Sequence, residues 1–572
     1  MIENGDLILS YLERLGVEYV FGVPGGSIEP LFNALARSER RGGIRPIIAR
    51  HETGAAFMAE GYARETGKLG VCCSTSGPGA TNMLTGVASA YTDGIPMLVI
   101  TAQTSLERFG QGSFQETSCT GINTVEMFSR CTRYNTLVSH SAQLEQKLLQ
   151  AISHTLSNQP GPAHLSIPLD VMRQPVVNAT SHESLRAFIN HDVAPSQGAM
   201  HLILKDLATV TKVTVVLGEG AVGAIDELLA LVEARGWQLV TTPRGKGLVN
   251  SDHPAHRGVF GFAGHGSAME ALKPENAERV LVIGTALDEV STCGWDPTTI
   301  LSDRMIHLSD NPEHLIRSTV ARLVVLGSPR LMLKPFAKLL ASDPVRMEKQ
   351  ALTSEFHSAQ NVKIDNPEKC SAIKGPIKPQ ALMTHMSQVC PPESRVLMDT
   401  GNSFLWGIHY WNIRKPQSEP KSLFHIGISY ASMGWAIGTS VGMAAASRNT
   451  PVVCFTGDGS VLMSGQEITT ALQENLNLLM VVLNDSALGM VRHGQALSGG
   501  EQIGNALPQV NFADLAKALG VKSHRIETME ELRALDVPAI LREPGPCVLD
   551  VIVDGDEVPP MGARMKVLTG AV

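Results

Sequence analysis

With 572 residues, 43% of them hydrophobic and 18% charged, the chain is long enough for several packed domains and too apolar to be disordered. Its net charge of −8, with no basic run, makes nucleic acid and anionic membrane poor partners. It has no apolar stretch of about 18 residues, no signal core behind Glu3 and Asp6 and no C-x-x-C pair among its nine cysteines, so the expectation is a cytoplasmic enzyme with reduced thiols.

The predicted elements alternate between helix and strand. Ile8, Leu12 and Leu15 mark an amphipathic helix, followed by a strand at Tyr19-Val20-Phe21 and a turn at Pro24-Gly25-Gly26. Buried strands follow at 69–74 and 97–102, bordered by glycine or proline. A polar stretch at 181–197 reads as a linker. Val213-Thr214-Val215-Val216-Leu217-Gly218, a strand entering a glycine turn, opens a second segment whose companion strand is Val280-Leu281-Val282-Ile283-Gly284. A further polar stretch, 342–378, precedes a third segment. There, strands at 451–456 and 478–483 flank one helix-sized block, a βαβ unit with parallel strands. The fold class is α/β: three consecutive α/β domains with mainly parallel sheets, at residues 1–175, 195–340 and 379–555. No repeat is visible in residue identity.

The strongest chemical signal is Gly457-Asp458-Gly459-Ser460, directly after a strand, with Asp485 at the end of the next strand in Leu483-Asn484-Asp485-Ser486-Ala487. Parallel strands open their carboxyl ends on one edge, so the two aspartates can converge on a hard cation such as Mg²⁺, which shares its shell with phosphate oxygens. Backbone N–H groups of Gly459 and Ser460, where a helix begins, can take a diphosphate. Capping aspartates in two ordinary turns would explain either motif alone. Glu52, between the Ile47-Ile48 strand and an apolar helix, is placed for desolvation, which raises a carboxyl pKa; alone it reads equally as a first-turn acid favoured by the helix dipole. Ser76-Gly77-Pro78-Gly79-Ala80-Thr81-Asn82 is another strand-to-helix turn, weak by itself.

Taken together, the Gly457-Asp458-Gly459 to Asn484-Asp485 pair, Arg50-His51-Glu52-Thr53-Gly54-Ala55-Ala56, Thr75-Ser76-Gly77-Pro78-Gly79-Ala80-Thr81-Asn82 and Val23-Pro24-Gly25-Gly26 resemble the acetohydroxyacid (acetolactate) synthase branch of the thiamine-diphosphate enzymes, in order and over essentially the whole chain. The resemblance implies a pyrimidine-binding, a central and a diphosphate-binding domain, with active sites between the chains of a homodimer or homotetramer. Glu52 then matches the activating glutamate, which favours the cofactor's 4′-imino form and so lets it take up the thiazolium C2 proton. Pro78 and Asn82 match the pyrimidine side. Asp458, Asp485 and the Ala487 carbonyl match the Mg²⁺ ligands. Gly401, Asn402, Ser403, Gly457, Gly459 and Ser460 match diphosphate contacts, and Met433 the residue that bends the cofactor. Gly26 and Gln115 match positions beside the reacting carbon.

The chain departs from the family's pattern mainly where substrate would sit. Asp485 replaces an asparagine, Arg133 stands for a channel lysine, and Gly494 replaces the tryptophan that walls the acceptor pocket. Gly284-Thr285-Ala286-Leu287-Asp288-Glu289 lacks a substrate arginine. The expected function is a carboligase that decarboxylates pyruvate, or a related 2-oxo acid, and passes the acyl-carbanion unit to a second carbonyl. The alternatives are a non-ligating decarboxylase or C–C lyase, and a catalytically silent homologue. FAD stays open, because the Gly258 to Gly266 run resembles a flavin-side loop only loosely and packing glycines account for it equally well.

Overall fold

The computed structural model describes residues 2–177, 185, 193–341, 362–416 and 419–570, so most of both polar stretches read as linkers lies outside the described residues. Three six-stranded sheets follow one another, and every strand pair is parallel. The first contains β1 (Tyr19–Gly22), β2 (Arg45–Ile48), β3 (Gly70–Ser74), β4 (Met97–Gln103), β5 (Tyr134–Leu137) and β6 (Pro162–Pro168), in the order β2-β1-β3-β4-β6-β5. The second contains β7 (Val213–Leu217), β8 (Gln238–Thr241), β9 (His256–Val259), β10 (Arg279–Ile283), β11 (Met305–Ser309) and β12 (Leu323–Leu326), in the order β12-β11-β10-β7-β8-β9. The third contains β13 (Arg395–Met398), β14 (Phe424–Ile426), β15 (Val452–Gly457), β16 (Leu478–Asn484), β17 (Lys522–Ile526) and β18 (Cys547–Ile552), in the order β14-β13-β15-β16-β18-β17.

The central strands β4 and β16 are buried along their whole length, as expected where helices cover both faces of a parallel sheet. The block between β15 and β16 is not one helix. It breaks into Asp458–Ser464, a 3₁₀ turn at Gly465–Glu467, and Ile468–Gln473. The chain leaves helical geometry at Ser464, and after it the Glu467 carboxylate accepts from Arg50 N and His51 N, at 3.1 and 2.9 Å.

The first and third sheets share one core, in which helix Glu52–Thr66 lies against helix Trp435–Ala446. Glycines allow the close approach. A Cβ on Gly61 would stand 2.0 Å from the Thr439 carbonyl oxygen, and one on Gly442 would stand 1.9 Å from that of Met58. Trp435 Nε1 donates to Glu60 Oε1 across the same seam at 2.9 Å. Among the described residues no helix is long and apolar enough to cross a membrane, and all nine cysteines are free.

Candidate active site

The carboxyl ends of β1, β2 and β3 carry the first group of site residues. Glu52 opens helix Glu52–Thr66, whose start is fixed by His51 Nδ1 accepting from Thr53 N at 3.2 Å. Its side chain is 9% exposed, and its Oε2 accepts from Asn82 Nδ2 at 3.0 Å. Asn82 is held in turn, because its backbone carbonyl accepts from Thr53 Oγ1. Only glycine fits at position 79, where a Cβ would lie 2.9 Å from Thr75 Cγ2 and 3.3 Å from Glu52 Oε1. Gln115 reaches the same turn. A Cβ on Gly77, itself at φ +66°, would lie 2.9 Å from the Gln115 Cβ.

Gln115 adopts φ 56°, a left-handed conformation rare outside glycine. The neighbouring Glu116 folds its loop by accepting from Gly110 N at 2.6 Å and Ser113 N at 3.2 Å. The glycine-rich loop after β1 packs on the same turn: Ser27 Oγ lies 3.0 Å from Ser76 Oγ, and Gly25 abuts Thr75. Gly26 is exposed beside that contact and Pro78 is exposed on the turn. The structure thus gathers Glu52, Asn82, Pro78, Gln115 and the Gly26 loop at one sheet edge.

A second group lies at the carboxyl ends of β13, β15 and β16. Asp399, fully buried, accepts from Gly434 N, Ala436 N and Thr456 Oγ1, each at 3.0 Å. This pins the loop that presents Met433, whose Cε would lie 3.1 Å from a Cβ on Gly459. Gly401, at φ +128°, turns the chain into helix Asn402–Tyr410, and Ser403 Oγ donates to the Asp399 carbonyl at 2.7 Å. Asp458, buried just after Gly457, accepts from Ala487 N at 3.2 Å and from Gly459 N at 2.7 Å. Of the two amides expected to meet a diphosphate, that of Gly459 is therefore engaged by Asp458, because an aspartate at the first helical position folds back on free amides.

Burial raises the Asp458 carboxyl above its usual range despite these amides. Burial and the Asp458 charge push Asp485 up to about 6, opposed by Arg492 at 3.3 Å. Two carboxylates that each raise the cost of ionising the other suit a cation between them. Among the described residues no cluster of three or more acidic, histidine or cysteine side chains could hold a metal. Two carboxylates completed by a carbonyl and phosphate oxygens is the arrangement Mg²⁺ uses. Asn402 Oδ1 and Ser432 Oγ are buried without hydrogen-bond partners beside this edge, as polar groups kept for a ligand would be. The residues present therefore fit a metal-bound diphosphate.

Some residues of this edge carry no signal in the sequence. His493 Nε2 lies 3.0 Å from the Gly555 carbonyl and must donate there, so its Nδ1 accepts from Asn402 Nδ2 at 3.2 Å. Burial lowers the His493 pKa, which keeps the ring neutral in that role. Gly489 lets Asn402 and Asp485 close in, since a Cβ there would meet both within 2.7 Å. These partners come from distant parts of the chain. Only Asp399, an aspartate ending a strand like Asp485, could have been flagged from sequence.

The substrate-side positions make contacts of their own. Arg133 is stacked 4.4 Å over the Tyr91 ring and paired with Glu313 at 3.3 Å, which makes it a contact between the first and second sheets. Segment 284–289 has no arginine of its own; Arg317 Nη1 donates to the Ala286 carbonyl at 3.0 Å. At Gly494 an added Cβ would meet nothing within 4 Å. Among the described residues, no hydrogen bond or ion pair joins Glu52, Pro78, Asn82 or Gln115 to Asn402, Ser403, Met433, Asp458, Ser460 or Asp485.

Three thiamine pyrophosphate enzyme family models match the chain: the N-terminal TPP binding domain over residues 2–124, the central domain over 201–336, and the C-terminal TPP binding domain over 399–551. The chain is 28% identical to a probable acetolactate synthase large subunit of Methanococcus aeolicus, over 100% of this chain and 96% of that protein. It is 29% identical to the acetolactate synthase isozyme 3 large subunit of Escherichia coli (strain K12), over 99% of this chain and 97% of the relative. It is also 29% identical to the isozyme 2 large subunit of the same strain, over 98% of each. With one matched model falling on each of the three sheets and the three together covering most of the chain, the chain belongs to the thiamine pyrophosphate enzymes, in the branch that resembles acetolactate synthases.

Proposed function

We propose that the protein is a carboligase that decarboxylates pyruvate and transfers the resulting two-carbon unit to a second carbonyl, using thiamine diphosphate and Mg²⁺. The carrying observation is the pair of half-sites: a buried glutamate oriented by Asn82, and two mutually repelling aspartates beside unpartnered polar atoms. When bound, thiamine diphosphate supplies the carbon that adds to the 2-oxo acid and the electron sink for loss of CO₂. Glu52 holds and releases a proton at the pyrimidine, and the Asn82 amide fixes which oxygen does so. Asp458, Asp485 and the Ala487 carbonyl would hold the metal, and Asn402, Ser403 and Ser460 would hold the diphosphate. Met433 rests against Gly459 and shapes the cofactor's path. Gln115 and the Gly26 loop stand where substrate would approach Glu52.

As the resemblance to acetolactate synthases implies, a second copy would complete each site, giving a homodimer or a tetramer of such pairs. Exposed apolar side chains beside both halves support this, among them Phe114 at 86% and Met463 at 56% exposure. Nine free cysteines suit a reducing, cytoplasmic setting. The acceptor pocket lacks a wall at Gly494, and a hydrophobic wall discriminates a methylene by only about 1–3 kcal/mol. Pyruvate and 2-oxobutanoate competing in one vessel should therefore give products within about tenfold of each other; a larger excess of the 2-oxobutanoate product would contradict the open pocket.

The cofactor assignment is tested by stripping the protein with a chelator and restoring thiamine diphosphate and Mg²⁺. Release of CO₂ from pyruvate should return only with both, and should not return in Asp458→Ala at limiting Mg²⁺. Unchanged thiamine diphosphate affinity in that variant would move the metal site elsewhere.

A further inference from the structure

The second sheet, read from β9 towards β12, runs 3-2-1-4-5-6 in its own strand numbers. That is the order of dinucleotide-binding sheets, in which pyrophosphate sits where the order reverses, here between the ends of β7 and β10. β7 also runs directly into Gly218-Glu219-Gly220-Ala221-Val222-Gly223, the G-x-G-x-x-G spacing, ahead of helix Ile225–Arg235. Topology and spacing together call for a flavin or nicotinamide dinucleotide. The packing does not accommodate one.

The glycines of the fingerprint bring two turns together instead of leaving room for a ligand. A Cβ on Gly218 would stand 2.2 Å from the Gly284 carbonyl oxygen, and one on Gly284 would stand 2.5 Å from Ala221 N. Gly220 N donates to the Gly284 carbonyl at 2.9 Å. The turn after β7 is thus hydrogen-bonded to the turn after β10 at the point where a crevice would open. The remaining cavity, lined by Glu219, Arg244, Gly284, Asp288 and Ser291 among others, is 10 Å³. That is about the space of one water, against roughly 300–1,000 Å³ for a cofactor pocket.

Charge also opposes a pyrophosphate. Arg244 fills the crevice mouth, 2.9 Å from Glu219, 3.2 Å from Asp93 and 3.5 Å from Asp288. Its Nη2 meets Asp93 and Asp288 as charge contacts without hydrogen-bond geometry, and its Nε is buried with no hydrogen-bond partner. Arg64 pairs with Asp93 at 2.6 Å and with Glu60 at 2.8 Å, and Glu60 accepts from Trp435 Nε1. Four carboxylates surround two guanidinium groups, a setting that repels an anion. Asp93 and Arg64 flank the first sheet, Arg244 belongs to the second, and Trp435 opens a helix of the third.

We propose that the central domain binds no dinucleotide, and that its switch point has become an ion-pair lock in which Arg244 grips Asp93 and, through it, ties the three sheets together. This does not depend on the carboligase reading, and its test needs no turnover. The purified full chain should show no visible flavin band, and calorimetric titration with FAD, NAD⁺ or ADP should give no saturable heat. A flavin that co-purifies at one per chain, or a saturable isotherm with any of the three, would overturn the first part. For the lock, Arg244→Met and Asp93→Asn should each lower the apparent melting temperature, and the double variant should fall by less than the sum of the two single losses. Additive losses would overturn the lock. If Arg244→Met does not fold, the milder Arg244→Lys with Asp93→Asn provides the cycle on the same pair.

Discussion

At the scale of residues, the chemistry depends on where acids are placed and what aims them. Glu52 is buried at a helix start, and its carboxylate accepts from the Asn82 amide at 3.0 Å. Glu52→Gln keeps the size and the hydrogen bond but loses the proton, so turnover should fall by roughly 10²–10⁴-fold with the fold and diphosphate affinity retained. Hydrogen–deuterium exchange at C2 of bound thiamine diphosphate checks this; a wild-type exchange rate in the variant would remove Glu52 from its role. Glu52, Asp458 and Asp485 are legible in the sequence because each is an acid at a strand–helix junction. His493 and Arg492 are not. Their contacts to Asn402 and the Gly555 carbonyl exist only once strands far apart in the chain are side by side.

At the scale of elements, the seam between helices Glu52–Thr66 and Trp435–Ala446 sets how the first and third sheets meet. A Cβ at Gly442 would lie 1.9 Å from the Met58 carbonyl oxygen, a rigid backbone atom. Alanine is a better helix former than glycine by about 1 kcal/mol, whereas forcing an extra carbon into a closed seam costs about 1–3 kcal/mol or more. Overpacking should win, so Gly442→Ala lowers the urea midpoint and the apparent melting temperature. A rise in either would show that the seam can open without cost. Such packing glycines look like ordinary helix residues in a sequence. The strands are easier to read: β3, β4, β7, β10, β15 and β16 are apolar runs ended by glycine or polar turns. β5, β12 and β17 are missed because they lie at sheet edges, with partly exposed or polar residues such as those of Lys522–Ile526.

At the scale of the whole molecule, the first and third sheets repeat one strand order, 2-1-3-4-6-5 in each sheet's own numbers. Residue identity conceals this repeat because order depends on which strands are neighbours, and many apolar sequences satisfy the same position. The buried histidines make stability depend on pH. Burial lowers His164 and His425 to about 3 and His256 and His307 to about 4. Each stays neutral when folded and takes a proton on unfolding below about pH 6.5. Their folded pKa values are depressed, so the stability they permit is complete above about pH 6.5 and is lost as pH falls towards 4, by up to about 1.4 kcal/mol per unit for each ring. The urea midpoint should therefore be lower at about pH 5 than at about pH 7; equal midpoints would mean that the rings are protonated in the fold.

The central claim is that two half-sites from two copies of the chain hold thiamine diphosphate and pass a two-carbon unit from one pyruvate to another carbonyl. Carbon-labelled pyruvate, incubated with the protein, thiamine diphosphate and Mg²⁺ and followed by NMR, tests it most directly. The account predicts that two pyruvates disappear for each CO₂ released, with a five-carbon 2-hydroxy-3-oxo acid as the labelled product. Acetaldehyde and CO₂ in equal amounts, with no ligated product, would contradict it.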